Sequence, residues 1–264
     1  MTMRPNPLRV LLTGASGRLG QTVLPALRTR HDVRAVDLLP GPGVDEHVDL
    51  STPGTCLRLF DGVQAVVHLA ANPDPEADWD ALLPANVLAS HAVAQAAKDR
   101  GVPRLVLASS LQAVSGYPDE RQVRVEDPPR PANLYGATKA WVEALGSWVA
   151  ATSSTTVVLL RIGNFSPSVP DPALATPRDV AAWLSPGDAE RMALAAVDGQ
   201  VASGQAAIIN GVSANRWRKA DLGEPERRLG YHPEDDAFAG WRRGTRVVAD
   251  VTSWSGIGYR SASL

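Results

Sequence analysis

Tyr135 and Lys139 are the residues of this chain whose types and spacing most directly suggest chemistry. Residues four positions apart on a helix share one face, so the phenol and the amine are expected to lie together. A free tyrosine has a pKa of about 10 and is a poor base near neutral pH, but a nearby ammonium favours its ionised form. A serine hydroxyl would complete the set by orienting a substrate hydroxyl. Of Ser109 and Ser110 we prefer Ser110, because it lies further toward the carboxyl end of the strand predicted at Arg104–Ala108.

A glycine-rich turn about 120 residues upstream supplies a second element of a possible active site. Gly14, Gly17 and Gly20 follow a strand predicted over Leu8–Thr13 and open a helix predicted over Gln21–Arg30. Gly14 permits a tight turn, Gly17 lets a phosphate approach the backbone, and Gly20 lets the helix pack closely on the strand. The helix N-terminus then offers free N–H groups and positive dipole to a pyrophosphate. The spacing predicts a dinucleotide-binding turn.

Asp37 indicates which dinucleotide the turn would accept. It follows the strand predicted over Val33–Val36, where a carboxylate can bond the adenosine ribose hydroxyls and would repel a 2′-phosphate. Leu38 stands where an NADP-binding protein could place arginine, and Arg34 lies within the strand. We therefore predict NAD as the cofactor. Its cationic nicotinamide would favour the phenolate further, and Lys139 could bond the nicotinamide ribose.

Further residues near these strands are expected to contact the cofactor. Asp49 and Leu50 are in a position to meet the adenine, and Ala70 and Ala71 are small enough for the cofactor to lie against their backbone. His68, in contrast, is predicted to be a core histidine with satisfied hydrogen bonds. The full predicted cofactor set is Gly14, Ser16, Gly17, Arg18, Leu19, Gly20, Asp37, Asp49, Leu50, Leu69, Ala70, Ala71, Asn86, Tyr135, Lys139 and Ile162.

Strands alternate with helices through most of the chain, which predicts an α/β fold with a Rossmann-type doubly wound parallel sheet. After Ile162 prolines accumulate, and a helix over Ala189–Val197 with Asp188 as its N-cap precedes a strand at Ala206–Asn210. We expect an NAD-binding core over 1–163 and a small C-terminal substrate lobe over 164–264, of which about 188–210 returns to the core. The other predicted elements are strands at Ala65–Ala70 and Thr156–Ile162 and helices at Asn86–Lys98 and Asn133–Ala150.

The composition of the 264-residue chain argues against several classes of protein. A formal net charge of −2 without a long basic run disfavours nucleic-acid binding, and no apolar stretch approaches the length of a membrane span. Cys56 is the only cysteine, so no intrachain disulfide can form and a reducing, cytoplasmic location is expected. No metal site is predicted.

Taken together, these motifs resemble the extended short-chain dehydrogenase/reductases, the NAD-dependent epimerase/dehydratase superfamily. The first half matches in the T-G-A-S-G-x-x-G turn, Asp37, His68-Leu-Ala-Ala, Ser109-Ser110 and Tyr135-x-x-x-Lys139. The second half is similar to the uronate dehydrogenase branch, in Leu160-Arg-Ile-Gly163, Arg178 followed by Trp183-Leu-Ser185, and Gly211-Val-Ser-Ala-Asn215.

The resemblance implies an oxidoreductase that uses NAD to oxidise the C1 hydroxyl of a hexuronic acid or related small sugar to a lactone. Tyr135 would take the hydroxyl proton, Ser110 would hold the hydroxyl, and Arg178 would pair with the sugar carboxylate. The branch has Asn-His at the positions of Leu111 and Gln112, and usually serine where Asn164 stands. The implied substrate set is Asn72, Ser110, Leu111, Gln112, Asn164 and Arg178.

Two other functions remain open at this point: an NAD-retaining sugar epimerase or dehydratase, and a catalytically silent nucleotide-binding protein. Only about 100 residues follow Ile162, where the last strand predicted before the proline-rich stretch ends. So short a C-terminal part favours a small free substrate over a nucleotide sugar. The helix predicted from Asn133 carries an apolar stripe of Trp141, Val142, Leu145 and Trp148. Because this helix commonly builds a dimer contact in the superfamily, a homodimer is expected.

Overall fold

Parallel strands alternate with helices along the chain. The computed structural model describes residues 6–52, 54–171 and 175–239. The strands are β1 (Arg9–Thr13), β2 (Asp32–Asp37), β3 (Glu46–His47), β4 (Ala65–His68), β5 (Arg104–Ser110), β6 (Thr156–Ile162), β7 (Asn164–Phe165), β8 (Trp183–Leu184) and β9 (Ala206–Gly211). Within the described residues, a seven-stranded parallel sheet has the order β3-β2-β1-β4-β5-β6-β9, while β7 and β8 pair with each other.

Helices cover both faces of the large sheet. They are α1 (Arg18–Arg28), α2 (Thr55–Leu59), α3 (Trp79–Leu82), α4 (Ala89–Asp99), α5 (Leu134–Thr152), α6 (Pro177–Ala181), α7 (Pro186–Asp198) and α8 (Glu224–Leu229). Because successive strand residues point to opposite faces, Val10 and Leu12 pack with α1 and α7, whereas Leu11 packs with α4 and α5. Both faces are thus buried, and the prediction of a doubly wound α/β sheet is confirmed.

The order of the strands reverses beside β1. From β1 the chain moves outward to β2 and β3, then crosses to β4 on the other side of β1 and continues to β5 and β6. In open α/β sheets a crevice forms at the carboxyl ends of the strands at such a switch point. The carboxyl ends of β1, β4 and β5 therefore border one cleft, with the N-terminus of α1 beside it.

The chain past β6 returns to this sheet. β9 pairs with β6 in parallel, with Ile162 opposite Gly211, and α7 packs beside α1. The prediction of Asp188 as the N-cap of α7 is wrong. Ser185 caps this helix by accepting the Asp188 N–H at 3.0 Å, and the Asp188 carboxylate instead accepts the backbone N–H groups of Glu234 and Asp235. Asp188 therefore holds a later loop against the helix.

The helix predicted from Asn86 has an irregular beginning. Residues Leu83–Leu88 form a wide π-helical turn between α3 and α4. Pro84 cannot donate the backbone hydrogen bond that a regular helix would need at its position. The turn brings Asn86 fully inside the protein.

Cys56 lies on α2 and is buried in the core on the α4 side of the sheet. Burial raises the pKa of its thiol to about 11, so the reactive thiolate is scarce at neutral pH. Cys56 thus acts as a small buried hydrophobic residue.

Among the helices described here, none is both long enough and apolar enough to cross a bilayer. Residues 240–264 of the predicted substrate lobe lie outside the described part of the chain.

Candidate active site

The glycine turn is shaped by backbone contacts that leave no room for side chains. Gly14 has a φ of 75°, and a Cβ atom there would lie 2.5 Å from the Ala70 nitrogen. A Cβ at Gly20 would lie 2.1 Å from the Gly14 carbonyl oxygen. At Gly17 the nearest such contact is 3.3 Å, to the same oxygen, which a small shift would relieve, so internal packing restricts this position much less. Its open backbone faces the cleft, where a phosphate could approach it.

Asp37 is fixed at the end of β2 by backbone hydrogen bonds. Its Oδ2 accepts the Ser16 N–H at 2.9 Å, and its Oδ1 accepts the Leu39 N–H at 3.0 Å. Arg34 is engaged in an ion pair with Glu46 on β3. The carboxylate at the strand end and the glycine turn beside it together fit the adenosine half of NAD.

Six of the predicted cofactor residues lie outside the lining of this cleft, namely Ser16, Asp37, Asp49, Leu50, Ala70 and Asn86. The Asp49 carboxylate accepts the Ser51 N–H at 2.8 Å and its hydroxyl, and these bonds lower the pKa of Asp49. Leu50 is buried in the core. Asn86 is fully buried and is bonded to the backbone of Asn72, at 2.7 Å from the Asn72 nitrogen and 3.0 Å from its oxygen. Asn86 thus fixes the loop after β4 from behind.

His68 is a core histidine, as the sequence predicts. Its Nδ1 lies 2.7 Å from the Thr13 hydroxyl, and its Nε2 lies 3.2 Å from the Ser90 hydroxyl. Burial, together with the nearby Lys139, lowers the pKa of His68 to about 3, so the imidazole is neutral at physiological pH.

Ser110, Tyr135 and Lys139 meet where β5 ends against α5. Both helical residues are almost fully buried, at 8% and 4% exposed. The Lys139 Nζ lies 5.6 Å from the centre of the Tyr135 ring and donates to the Ala108 carbonyl oxygen at 3.0 Å. The Ser110 hydroxyl accepts the Gln112 N–H at 3.1 Å and hydrogen-bonds Tyr135. The three polar groups therefore face one point in the cleft.

Burial dominates the acidity of this trio. It raises the pKa of Tyr135, and the hydrogen bond with Ser110 partly opposes that rise. It lowers the pKa of Lys139 to about 8, because the charged amine loses hydration. Lys139 alone therefore does not make the phenol acidic in the cofactor-free chain. The cationic ring of bound NAD⁺ would add the positive charge that favours the phenolate.

Local contacts fix the beginning of α5, and with it the position of Tyr135 in the first turn of the helix. Asn133 caps the helix, since its Oδ1 accepts the Gly136 N–H at 2.7 Å. The Asn133 Nδ2 donates to the Gln112 Oε1 at 3.1 Å. A Cβ at Gly136 would lie 2.3 Å from the Gln112 carbonyl oxygen, so only glycine allows this close approach.

A buried ion pair that the sequence analysis missed lies directly behind the trio. Glu143, one turn after Lys139 on α5, accepts two hydrogen bonds from the Arg161 guanidinium, at 2.8 and 2.9 Å. The Ser109 hydroxyl donates to the same carboxylate at 2.7 Å. Arg161 also donates to the carbonyl oxygens of Arg124 and Asp127. The pair joins α5, β5, β6 and the loop before α5, and the Glu143 spacing of four after Lys139 could have suggested it.

The substrate end of the cleft contains most of the predicted substrate residues. Leu111, Gln112, Asn164 and Arg178 line it, whereas Asn72 does not. The cleft as a whole has a volume of about 460 Å³. Of the predicted cofactor and catalytic residues, it is lined by Gly14, Gly17, Arg18, Leu19, Gly20, Leu69, Ala71, Ser110, Tyr135, Lys139 and Ile162.

Two charged residues near this end, Asp119 and Lys219, were not predicted, and Asp119 contacts the predicted Arg178. Arg178 donates from Nη1 to the Asp119 Oδ1 at 3.0 Å and from Nη2 to the Ser115 carbonyl oxygen at 3.1 Å. Lys219 also lines the cleft, and its amine donates to the carbonyl oxygens of Pro118, Asp119 and Arg121. No local motif marks Asp119 or Lys219, because they come together from positions about 100 residues apart.

The fold, the glycine-rich turn and the group formed by Ser110, Tyr135 and Lys139 together define a dinucleotide-dependent enzyme site. The chain belongs to the NAD dependent epimerase/dehydratase family, whose model matches residues 10–184. The prediction of this superfamily, with NAD as its cofactor, is confirmed.

Several of the similar proteins are sugar dehydrogenases. The chain is 34% identical to L-arabinose 1-dehydrogenase (NAD(P)(+)) from Haloferax volcanii, over 87% of this chain and 97% of the relative. It is also 34% identical to the NAD-dependent glucose-6-phosphate dehydrogenase of that organism, over 86% of this chain and 94% of the relative. The crystal structure of uronate dehydrogenase from Agrobacterium tumefaciens is similar with a TM-score of 0.78 and 28% identity, covering 88% of this chain and 86% of that one.

Proposed function

We propose that this protein is an NAD-dependent dehydrogenase that oxidises the C1 hydroxyl of a small free sugar or sugar acid to a lactone. The observation that carries the proposal is the convergence of Ser110, Tyr135 and Lys139 on the cleft that the glycine turn also lines. Proton-transfer groups are thereby combined with a dinucleotide site in one crevice. The sugar dehydrogenases among the relatives support the same reaction class.

The trio can supply each proton-handling role that the oxidation needs. When bound, NAD⁺ accepts a hydride from the carbinol carbon. The Ser110 hydroxyl, fixed by the Gln112 N–H, orients the substrate hydroxyl toward Tyr135. Tyr135 then takes the hydroxyl proton as general base. Lys139, held by the Ala108 carbonyl oxygen, would keep positive charge beside the phenolate and bond the nicotinamide ribose.

The proposal is tested by comparing the rate of NADH formation by the wild-type protein with that of the Tyr135→Phe variant, which lacks the phenol hydroxyl. We expect wild-type protein to produce NADH, seen by its near-ultraviolet absorbance, with at least one sugar of a panel of aldoses and uronates. Tyr135→Phe removes the general base and should lower kcat by about 10²- to 10⁴-fold, with NAD⁺ binding retained.

Tyr117→Phe is the matched control, because the Tyr117 hydroxyl bonds the Pro128 carbonyl oxygen and lies outside the cleft lining. Equal activity of the Tyr135 and Tyr117 variants would contradict the proposed chemistry. Product formed without net NADH would instead favour the epimerase alternative.

We also propose that the protein acts as a cytoplasmic homodimer. Leu134, Trp141 and Trp148 are spaced seven apart on α5 and are 42%, 41% and 36% exposed. An apolar stripe along one helix can pair with its own copy about a twofold axis, because each residue then meets its symmetry-related neighbour.

A further inference from the structure

The cationic side chains at the substrate end of the cleft already have hydrogen-bond partners within the protein. Arg178 uses both terminal nitrogens on Asp119 and the Ser115 carbonyl oxygen, as described above. The Lys219 amine has three hydrogens, and carbonyl oxygens at 2.9, 3.0 and 3.3 Å accept them. Asp179, which also lines this end, adds a carboxylate that caps its own helix through Thr176.

Asp119 does not itself line the cleft, but it is paired with Arg178, the cleft residue that an anionic substrate group would have to approach. Its backbone oxygen is bonded to the Lys219 amine, and its carboxylate lies 4.0 Å from the same nitrogen. Lys219 is only 3% exposed, so it anchors the Pro118–Arg121 loop beside Arg178. A carboxylate or phosphate approaching Arg178 would therefore meet the Asp119 charge at short range, and like charges repel.

The other side chains that line the cleft near the trio are neutral and can bind the uncharged hydroxyl groups of a sugar. Because the Gln112 Oε1 accepts from Asn133, the amide presents its Nε2 as a donor on the other side. Asn164 contributes a second amide, and Leu111 offers an apolar surface to sugar C–H groups. Such neutral donors and acceptors bind a sugar hydroxyl without requiring a counter-charge.

We propose that the substrate is a neutral aldose and that Asp119 is a specificity-determining residue that excludes sugar acids and sugar phosphates. The inference rests on the proposed dehydrogenase function and deepens it by naming the charge class of the substrate. The relatives named above are enzymes for a neutral sugar, a sugar phosphate and a uronate, so their names leave this choice open.

The test compares kcat/KM for NAD⁺ reduction with L-arabinose, D-galactose, D-galacturonate and D-glucose 6-phosphate. For the wild type, the better neutral sugar should exceed both charged sugars at least tenfold. Asp119→Asn keeps the size of the side chain but removes its charge, which frees Arg178. The ratio of the galacturonate value to the neutral-sugar value should then rise at least tenfold.

Glu120→Gln is the matched control, because it removes an exposed carboxylate at the next position of the same loop. This variant should leave the ratio within about twofold of wild type. A wild-type preference for galacturonate or glucose 6-phosphate would overturn the inference while leaving the dehydrogenase function standing. An unchanged ratio in Asp119→Asn would overturn the role of Asp119, whereas failure of every sugar to reduce NAD⁺ would contradict the dehydrogenase function itself.

Discussion

At the scale of single residues, burial shifts the pKa values of titratable groups in and around the proposed catalytic trio, Ser110, Tyr135 and Lys139. His68 is neutral because it lies between the Thr13 and Ser90 hydroxyls without access to water. Lys139 has a lowered pKa of about 8 for the same reason. The neutral imidazole matters for the site, since a second positive charge behind Lys139 would lower the pKa of that amine further.

His68 should make the protein sensitive to acid. Its pKa is near 6.5 when unfolded and about 3 when folded, so between these values the unfolded chain binds a proton that the native chain does not. The free energy of unfolding should therefore fall as pH drops through this range, by about 1.4 kcal/mol per pH unit from this group. Above the upper value the contribution is constant.

Urea titrations at several pH values measure this effect. His68→Gln cannot take up the proton and should lose that part of the slope, whereas His232→Gln, at an exposed histidine, should keep it. Parallel pH dependences for wild type and His68→Gln would show that the imidazole is not held neutral.

At the scale of elements, the turn between β1 and α1 contains glycines with two different roles, close packing of the backbone and access for a ligand. Gly20 is required by packing, because a Cβ there would collide with the Gly14 carbonyl oxygen. A Cβ at Gly17 would need only a small shift of the Gly14 carbonyl oxygen, and the φ of −67° at this position is open to any residue. Only a ligand close to the backbone would require glycine at this second position.

Alanine substitutions should distinguish the packing role of Gly20 from the ligand-binding role of Gly17. Gly17→Ala should raise the dissociation constant of NAD⁺ about tenfold or more, with less than about 1 kcal/mol lost in unfolding free energy. Gly20→Ala should weaken NAD⁺ binding and also cost about 2 kcal/mol or more, because helix and strand must separate. Calorimetric NAD⁺ titration and urea unfolding give both quantities. If Gly17→Ala binds NAD⁺ as wild type does, no phosphate lies against that glycine.

Local sequence signals predicted the elements with a regular pattern and missed those set by distant partners. The buried strands, the glycine turn and the Tyr135–Lys139 spacing are all encoded within short windows. Strands of two residues such as β7 and β8 are too short for periodicity. The prediction that Asp188 is the N-cap of α7 failed because its carboxylate accepts hydrogen bonds from the backbone N–H groups of Glu234 and Asp235, which lie far along the chain.

At the scale of the whole molecule, a switch point in the strand order places two distant motifs on one cleft. The catalytic helix α5 has one side on the sheet and an apolar stripe on the other. A second copy packed on that stripe would stabilise the helix that carries Tyr135 and Lys139.

The proposed dimer should depend on that stripe. Trp141→Glu places a charge in its middle, and the protein should then sediment or elute at monomer mass, whereas wild type behaves as a dimer. Leu57→Glu on α2, at another exposed apolar residue, serves as the control and should leave the mass unchanged. A wild-type monomer at micromolar concentration would contradict the dimer.

The inaccessible thiol on α2 makes the chain convenient for site-specific spectroscopy. Since maleimides and similar reagents attack thiolates, native protein should take up almost no label at its sole sulfhydryl. One cysteine engineered onto the Pro118–Arg121 loop would thus receive a single fluorophore. Its emission could follow that loop in real time as sugar and coenzyme arrive.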